Sequence, residues 1–102
     1  MAKEVYITKV LPHSIKFYLP RTEGYMDAVK EIASRYGSMS LIELDGYFEG
    51  KFEPAKYTRL EVHTEILNEQ SVIEYANNIR IRLKQNSLAV EFDNKLILVV
   101  KG

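Results

Sequence analysis

The sequence predicts an α+β domain in which an antiparallel sheet carries two helices on one face. Two observations carry this reading. Short runs alternating apolar and polar residues, such as HSIKFYLP and YTRLEVHTEI, mark half-buried strands, and between them two stretches switch to helical spacing. The chain has 102 residues, enough for a single domain over 1–102 that buries roughly two-thirds of its unfolded surface.

The elements follow in order. KEVYITKV has strand composition, and Pro12 separates it from HSIKFYLP, where Ile15, Phe17 and Leu19 alternate with Lys16 and Tyr18. Because proline lacks an amide donor and restrains its predecessor, the first run is expected to be an edge strand or an arm turning into the second. From Tyr25 the period changes, and Tyr25, Ala28, Val29, Ile32, Ala33 and Tyr36 form one helical stripe that Gly37 ends. Thr22 is the expected cap of this helix. A strand then runs to about Leu44, followed by a glycine-punctuated loop from Gly46 to Pro54 and by the strand YTRLEVHTEI. Asn68 or Ser71 caps a second helix, with Glu74 at capping-box spacing from Ser71. Its buried stripe is Val72, Tyr75, Ala76, Ile79 and Leu83, and Arg80, Arg82 and Lys84 offset the negative end of the helix dipole before Asn86 takes a left-handed terminal position. SLAVEF and KLILVV close the chain as a hairpin turning at Asp93-Asn94. This is the split β-α-β-β-α-β, or ferredoxin-like, order with an extra strand at each end.

Composition narrows the function. There is no cysteine, which removes thiolate nucleophiles, disulfides and cysteine-ligated metals. Fourteen basic residues balance fourteen acidic ones, so the chain has no global field to attract nucleic acid, and no aromatic strand carries an RNA-binding signature. The longest apolar run, Leu96 to Val100, is far short of the ~20 residues of a membrane span, and a cytoplasmic protein without membrane contact is the expectation. No metalloprotease helix, nucleophile elbow or Walker loop is present, and neither a cofactor nor a bound metal is expected.

Three groups of residues remain as candidates. Arg59, Glu61, His63 and Glu65 share one face of a strand, where the spacing suits either a solvated or interfacial sheet face or a metal held by Glu61, His63 and Glu65. Arg21, in the turn before the first helix, can receive an anion. The segment Gly46-Tyr47-Phe48-Glu49-Gly50-Lys51-Phe52 places three aromatics in a short glycine-flanked loop, where Tyr47, Phe48 and Phe52 would anchor an interface.

The runs GYFEGKFEP, RLEVHTEI and LKQNSLAVEFDNKLILV resemble a pattern in small uncharacterised ferredoxin-like proteins of phages and bacteria, over about residues 15 to 100. The matching positions are Gly46, Tyr47, Phe48, Glu53, Gln85, Ser87 and Val90. Phe48 stands where that pattern has tryptophan, and Leu88-Ala89 intervenes before Val90. The resemblance implies the fold and a phage or host-defence setting without an established activity. A weaker likeness is to the trimeric signalling proteins of the PII type and the divalent-cation-tolerance proteins, which share the element order and place a functional loop where residues 46–54 lie.

The resulting expectation is a non-enzymatic interaction or regulatory module, a homodimer or an inhibitor of another protein. It would act through the open sheet face and the 46–54 loop, using Tyr47, Phe48, Phe52, Arg59, Glu61 and His63. Two alternatives stand beside it: a sensor that binds a small molecule or nucleotide in a concave pocket on the open face, and a dimeric ferredoxin-like enzyme with His63 as base near Glu61 or Glu65.

Overall fold

The computed structural model describes residues 3–37 and 39–102, the side chains of Phe48 and Ala55 excepted. Its elements are β1 (His13–Pro20), α1 (Tyr25–Tyr36), β2 (Ser40–Phe48), β3 (Lys51–Thr64), α2 (Glu69–Arg82), β4 (Ser87–Phe92) and β5 (Lys95–Val100). The strands form one antiparallel sheet in the order β2-β3-β1-β4-β5.

Cross-strand pairing fixes the two faces, because residues opposite each other point the same way and neighbours along a strand point apart. Leu60, Phe17 and Val90 lie in one row, and with Ile15, Leu19, Val62, Leu88 and Phe92 they form a fully buried face. Both helices cover that face through Ala28, Val29 and Ile32 of α1 and Val72, Tyr75, Ala76 and Ile79 of α2. Phe17 sits at the centre, edge-on to Tyr75 and tilted against Tyr36, with ring centroids 6.0 and 6.1 Å away. Such aromatic pairing adds to simple area burial. The opposite face carries no helix.

Helix α1 starts and stops where its periodicity indicates, with Gly37 at φ 82° closing it. Its cap differs from expectation. Gly24 holds the first position in a left-handed conformation, and it is the backbone carbonyl of Thr22, not its hydroxyl, that receives the Tyr25 amide at 3.2 Å. At α2 the side chain of Asn68 accepts the Ser71 amide at 3.0 Å, while Glu74 turns along the helix to Gln70 and forms no capping box. The helix ends in a Schellman motif: the Gln85 amide reaches the Arg80 carbonyl, the Lys84 amide reaches the Ile81 carbonyl, and Lys84 at φ 56° takes the left-handed position expected of Asn86. The carbonyls to be satisfied set that position, and they come two residues before the asparagine.

Two strand expectations change. Residues 3–12 form no strand, because no neighbouring strand lies beside them to receive their hydrogen bonds. The segment 46–54 is not a loop: β2 and β3 continue to a two-residue turn at Glu49-Gly50, both at positive φ, giving a long hairpin. The glycine and proline instead mark a bulge. Pairing runs Leu44↔Tyr57 and then Gly46↔Glu53, so residues 54–56 oppose Asp45 alone, at the point where Pro54 has no amide to offer the ladder. The predicted turn at Asp93-Asn94 is present, with φ of 48° and 68°.

Candidate functional site

A cleft of about 760 Å³ opens on the helix-free face of the sheet. Side chains from both edge strands line it, Leu44 of β2 on one side and Leu96 and Leu98 of β5 on the other, so this face is concave across the whole sheet width. Tyr18 and Pro20 of β1 form the floor, and the Gln85-Asn86 turn after α2 closes one end. The volume lies in the range that takes a drug-sized ligand, about 300–1,000 Å³.

Local sequence explains how the walls are set. The bulge at Pro54 bends the hairpin and brings Asp45 and Glu53 to the cleft. Tyr57 lies across Gly46 so closely that a Cβ there would stand 2.8 Å from the ring. Glycine is therefore required by space, since only a missing side chain lets the ring lie flat on the strand. At the far end, the Gln85 side-chain amide donates to the Leu83 carbonyl at 3.0 Å, and the Arg80 guanidinium donates to the Gln85 carbonyl at 3.0 Å.

The charged lining is acidic, with lysines paired behind it. Asp45, Glu53 and Glu91 line the cleft, and among the described residues no lysine or arginine does. Glu91 is the most enclosed of these acids. Its carboxylate accepts from the Lys16 ammonium at 3.2 Å and from the Tyr18 hydroxyl at 3.3 Å, and its side chain is 20% exposed. Glu53 has a looser partner in Lys56 at 3.7 Å. An apolar cleft with two tyrosines and carboxylates suits a flat, uncharged ring system attached to a cation. Phosphates are a poorer match, because the lysines beside the cleft are already paired with its carboxylates.

The residues singled out in the sequence fall into two groups. Arg59, Glu61 and His63 continue along β3 from Tyr57 on the cleft-bearing face, with Glu61 between Arg59 at 3.8 Å and the His63 ring at 3.3 Å. Arg59 keeps a buried Nε with no partner. Glu65 lies beyond the strand and pairs with Lys9 at 3.2 Å, so it does not join Glu61 and His63, and among the described residues no group of three His, Asp or Glu is placed to hold a metal. Tyr47 and Phe52 face each other across the hairpin end, ring centroids 5.3 Å apart, on the opposite side of the sheet from Arg59, Glu61 and His63. The side chain of Phe48 lies outside the described residues. Arg21, the candidate anion receptor, is occupied by the Tyr25 hydroxyl at 3.0 Å and by Glu43 at 3.0 Å, and both contacts raise its pKa.

Sequence reasoning missed Tyr57, Glu91 and Asp45. Tyr57 stands two residues before Arg59 on the same face, so strand parity could have found it; Glu91 needed the pairing of β4 with β1, which no local pattern contains.

No family model matches the chain, and no curated protein matches it significantly. Among solved structures it is similar to a phage SAM lyase in complex with S-methyl-5'-thioadenosine, with a TM-score of 0.67 and 17% identity over 94% of this chain and 97% of that one. The apo state of a phage SAM lyase is similar at a TM-score of 0.63 and 16% identity, with the same coverage. Both share the fold of this chain almost from end to end. This overturns the expectation of a non-enzymatic interaction module or inhibitor, because these two similar chains are those of an enzyme, one of them holding a small adenosine derivative.

Proposed function

We propose that this protein is a small-molecule lyase acting on S-adenosylmethionine, with the helix-free cleft as its active site. One observation carries the reading: the cleft combines tyrosines and aliphatic side chains with carboxylates, the only charged groups among its described lining residues. S-adenosylmethionine presents a flat adenine, a sulfonium and an ammonium, and this lining answers each of them. The structural likeness to a phage SAM lyase supports it. The strand order, with β5 as an added edge strand, supports reading the fold as ferredoxin-like.

In this reading adenine stacks on Tyr57, an interaction worth about 1–3 kcal/mol. Glu91, fixed by Lys16 and Tyr18, accepts the substrate ammonium and orients the four-carbon chain. Forming S-methyl-5'-thioadenosine without water requires breaking the bond between sulfur and Cγ. The substrate's own carboxylate attacks Cγ, the bonding pair leaves with sulfur, and the chain closes to a lactone with no proton transferred. Two opposite charges vanish in this step, so the apolar flank of Leu96, Leu98 and Ala89 favours it by excluding water from the reacting pair.

The test is to incubate the protein with S-adenosylmethionine and follow products by mass spectrometry. The S-methylated thioadenosine and the lactone appearing together, well above the uncatalysed rate, is the expected result. Binding of thioadenosine without turnover would replace this reading with that of a sensor. Gly46→Val supplies a second check, because it pushes the Tyr57 ring off the strand: affinity for thioadenosine, read by calorimetry, should fall about ten- to a hundredfold from lost stacking. The hairpin outside the core should leave the melting temperature little changed.

A further inference from the structure

Residues 3–12 leave the sheet as an extended arm. Val5, Tyr6, Ile7 and Val10 are 91, 81, 93 and 74% exposed, and among the described residues no backbone hydrogen bond reaches this segment. Adjacent apolar residues on both faces of a segment with strand composition are the pattern of a strand covered on both sides, yet this one pairs with no strand.

We infer that the arm adds as a strand to the free edge of β5 in a second copy of this chain. Of the two open edges, β5 is the unguarded one. β2 is broken by the bulge at Asp45 and carries the Arg21–Glu43 ion pair, the devices that protect an edge from pairing, whereas β5 pairs without interruption and holds no charge from Leu96 to Val100. In antiparallel register with Glu4 opposite Lys101, Val5 meets Val100, Tyr6 meets Val99 and Ile7 meets Leu98. Apolar residues then match on both faces and the terminal charges are opposite.

The same chain cannot supply this partner without breaking contacts. Lys9 is held 3.2 Å from Glu65 at the end of β3, whereas β5 lies two strands away on the other side of β1. His13 fixes the arm's root: its ring lies 2.7 Å from Asp93, whose other oxygen accepts the Ser14 amide. The arm therefore departs in a set direction, and zero net charge leaves no global repulsion between copies.

The absence of cysteine makes the test clean. Directly opposed strand residues have Cα atoms about 4.5–5.5 Å apart, within disulfide reach. The double variant Val5→Cys, Val100→Cys should form a disulfide between chains under oxidation, seen as a reducible ladder on a denaturing gel. Light scattering should give at least twice the single-chain mass for the unaltered protein and a single-chain mass for Ile7→Pro, with unchanged circular dichroism. A monomer at all micromolar concentrations, an assembly indifferent to Ile7→Pro, or a disulfide only within one chain would each overturn the inference. None of these outcomes depends on the lyase reading, which product analysis tests separately.

Discussion

Replacing Phe17 by alanine is expected to cost this fold more stability than any other single truncation in its core. The ring is fully buried on β1, between β3 and β4, and meets Tyr36 of α1 and Tyr75 of α2. It is the point where both helices and the three central strands share one side chain. Losing a buried phenylalanine costs about 3–5 kcal/mol, and a domain has only about 5–15 kcal/mol in total. The neighbours cannot close the gap easily. Tyr75 is held by Arg35 stacked 4.2 Å from its ring, and burial among these groups raises its hydroxyl pKa to about 12. The urea midpoint should fall by about a fifth of its value or more, with little change in slope. A shift of less than 1 kcal/mol would show that the core is not organised around this ring.

Glu91→Gln should produce the largest loss of turnover among changes that leave the fold intact. The substitution keeps the shape of the side chain, and the amide retains an oxygen for Tyr18 or Lys16. What disappears is the charge facing the substrate ammonium. A hydrogen bond to a charged group contributes about 1.5–3 kcal/mol, so kcat/KM for S-adenosylmethionine should fall about ten- to a hundredfold. Thioadenosine has no ammonium, and its affinity should stay within about twofold. Equal losses for both compounds would mean that Glu91 shapes the cleft instead of reading charge.

Much of the fold was legible because its signals are local. The helical stripe ending at Gly37, the Asn68 cap and the Asp93-Asn94 turn each depend on residues within a few positions of one another. The errors arose where a distant partner decides. KEVYITKV has the composition of a strand but no sheet beside it, and Pro54 reads as a loop signal until β2 is laid against it as a bulged ladder. The site was less legible for the same reason. Alternation alone puts Arg59, Glu61 and His63 on one face, but Leu44, Glu91 and Leu98, which line the cleft, come together only when five strands are put in order. Tyr47 and Phe52 read in the sequence as aromatics of a loop, and pairing across a hairpin turns them toward each other.

The ion pair at the floor of the cleft has a kinetic consequence on the proposed reading. Lys16 and Lys56 balance Glu91 and Glu53, so little field reaches beyond the cleft and a cationic reactant is recognised at contact, not from a distance. The thioether formed inside is neutral and leaves nothing for Glu91 to hold. Retention thereby differs across the reaction, with the charged reactant kept in place and the sulfur-containing product free to diffuse away.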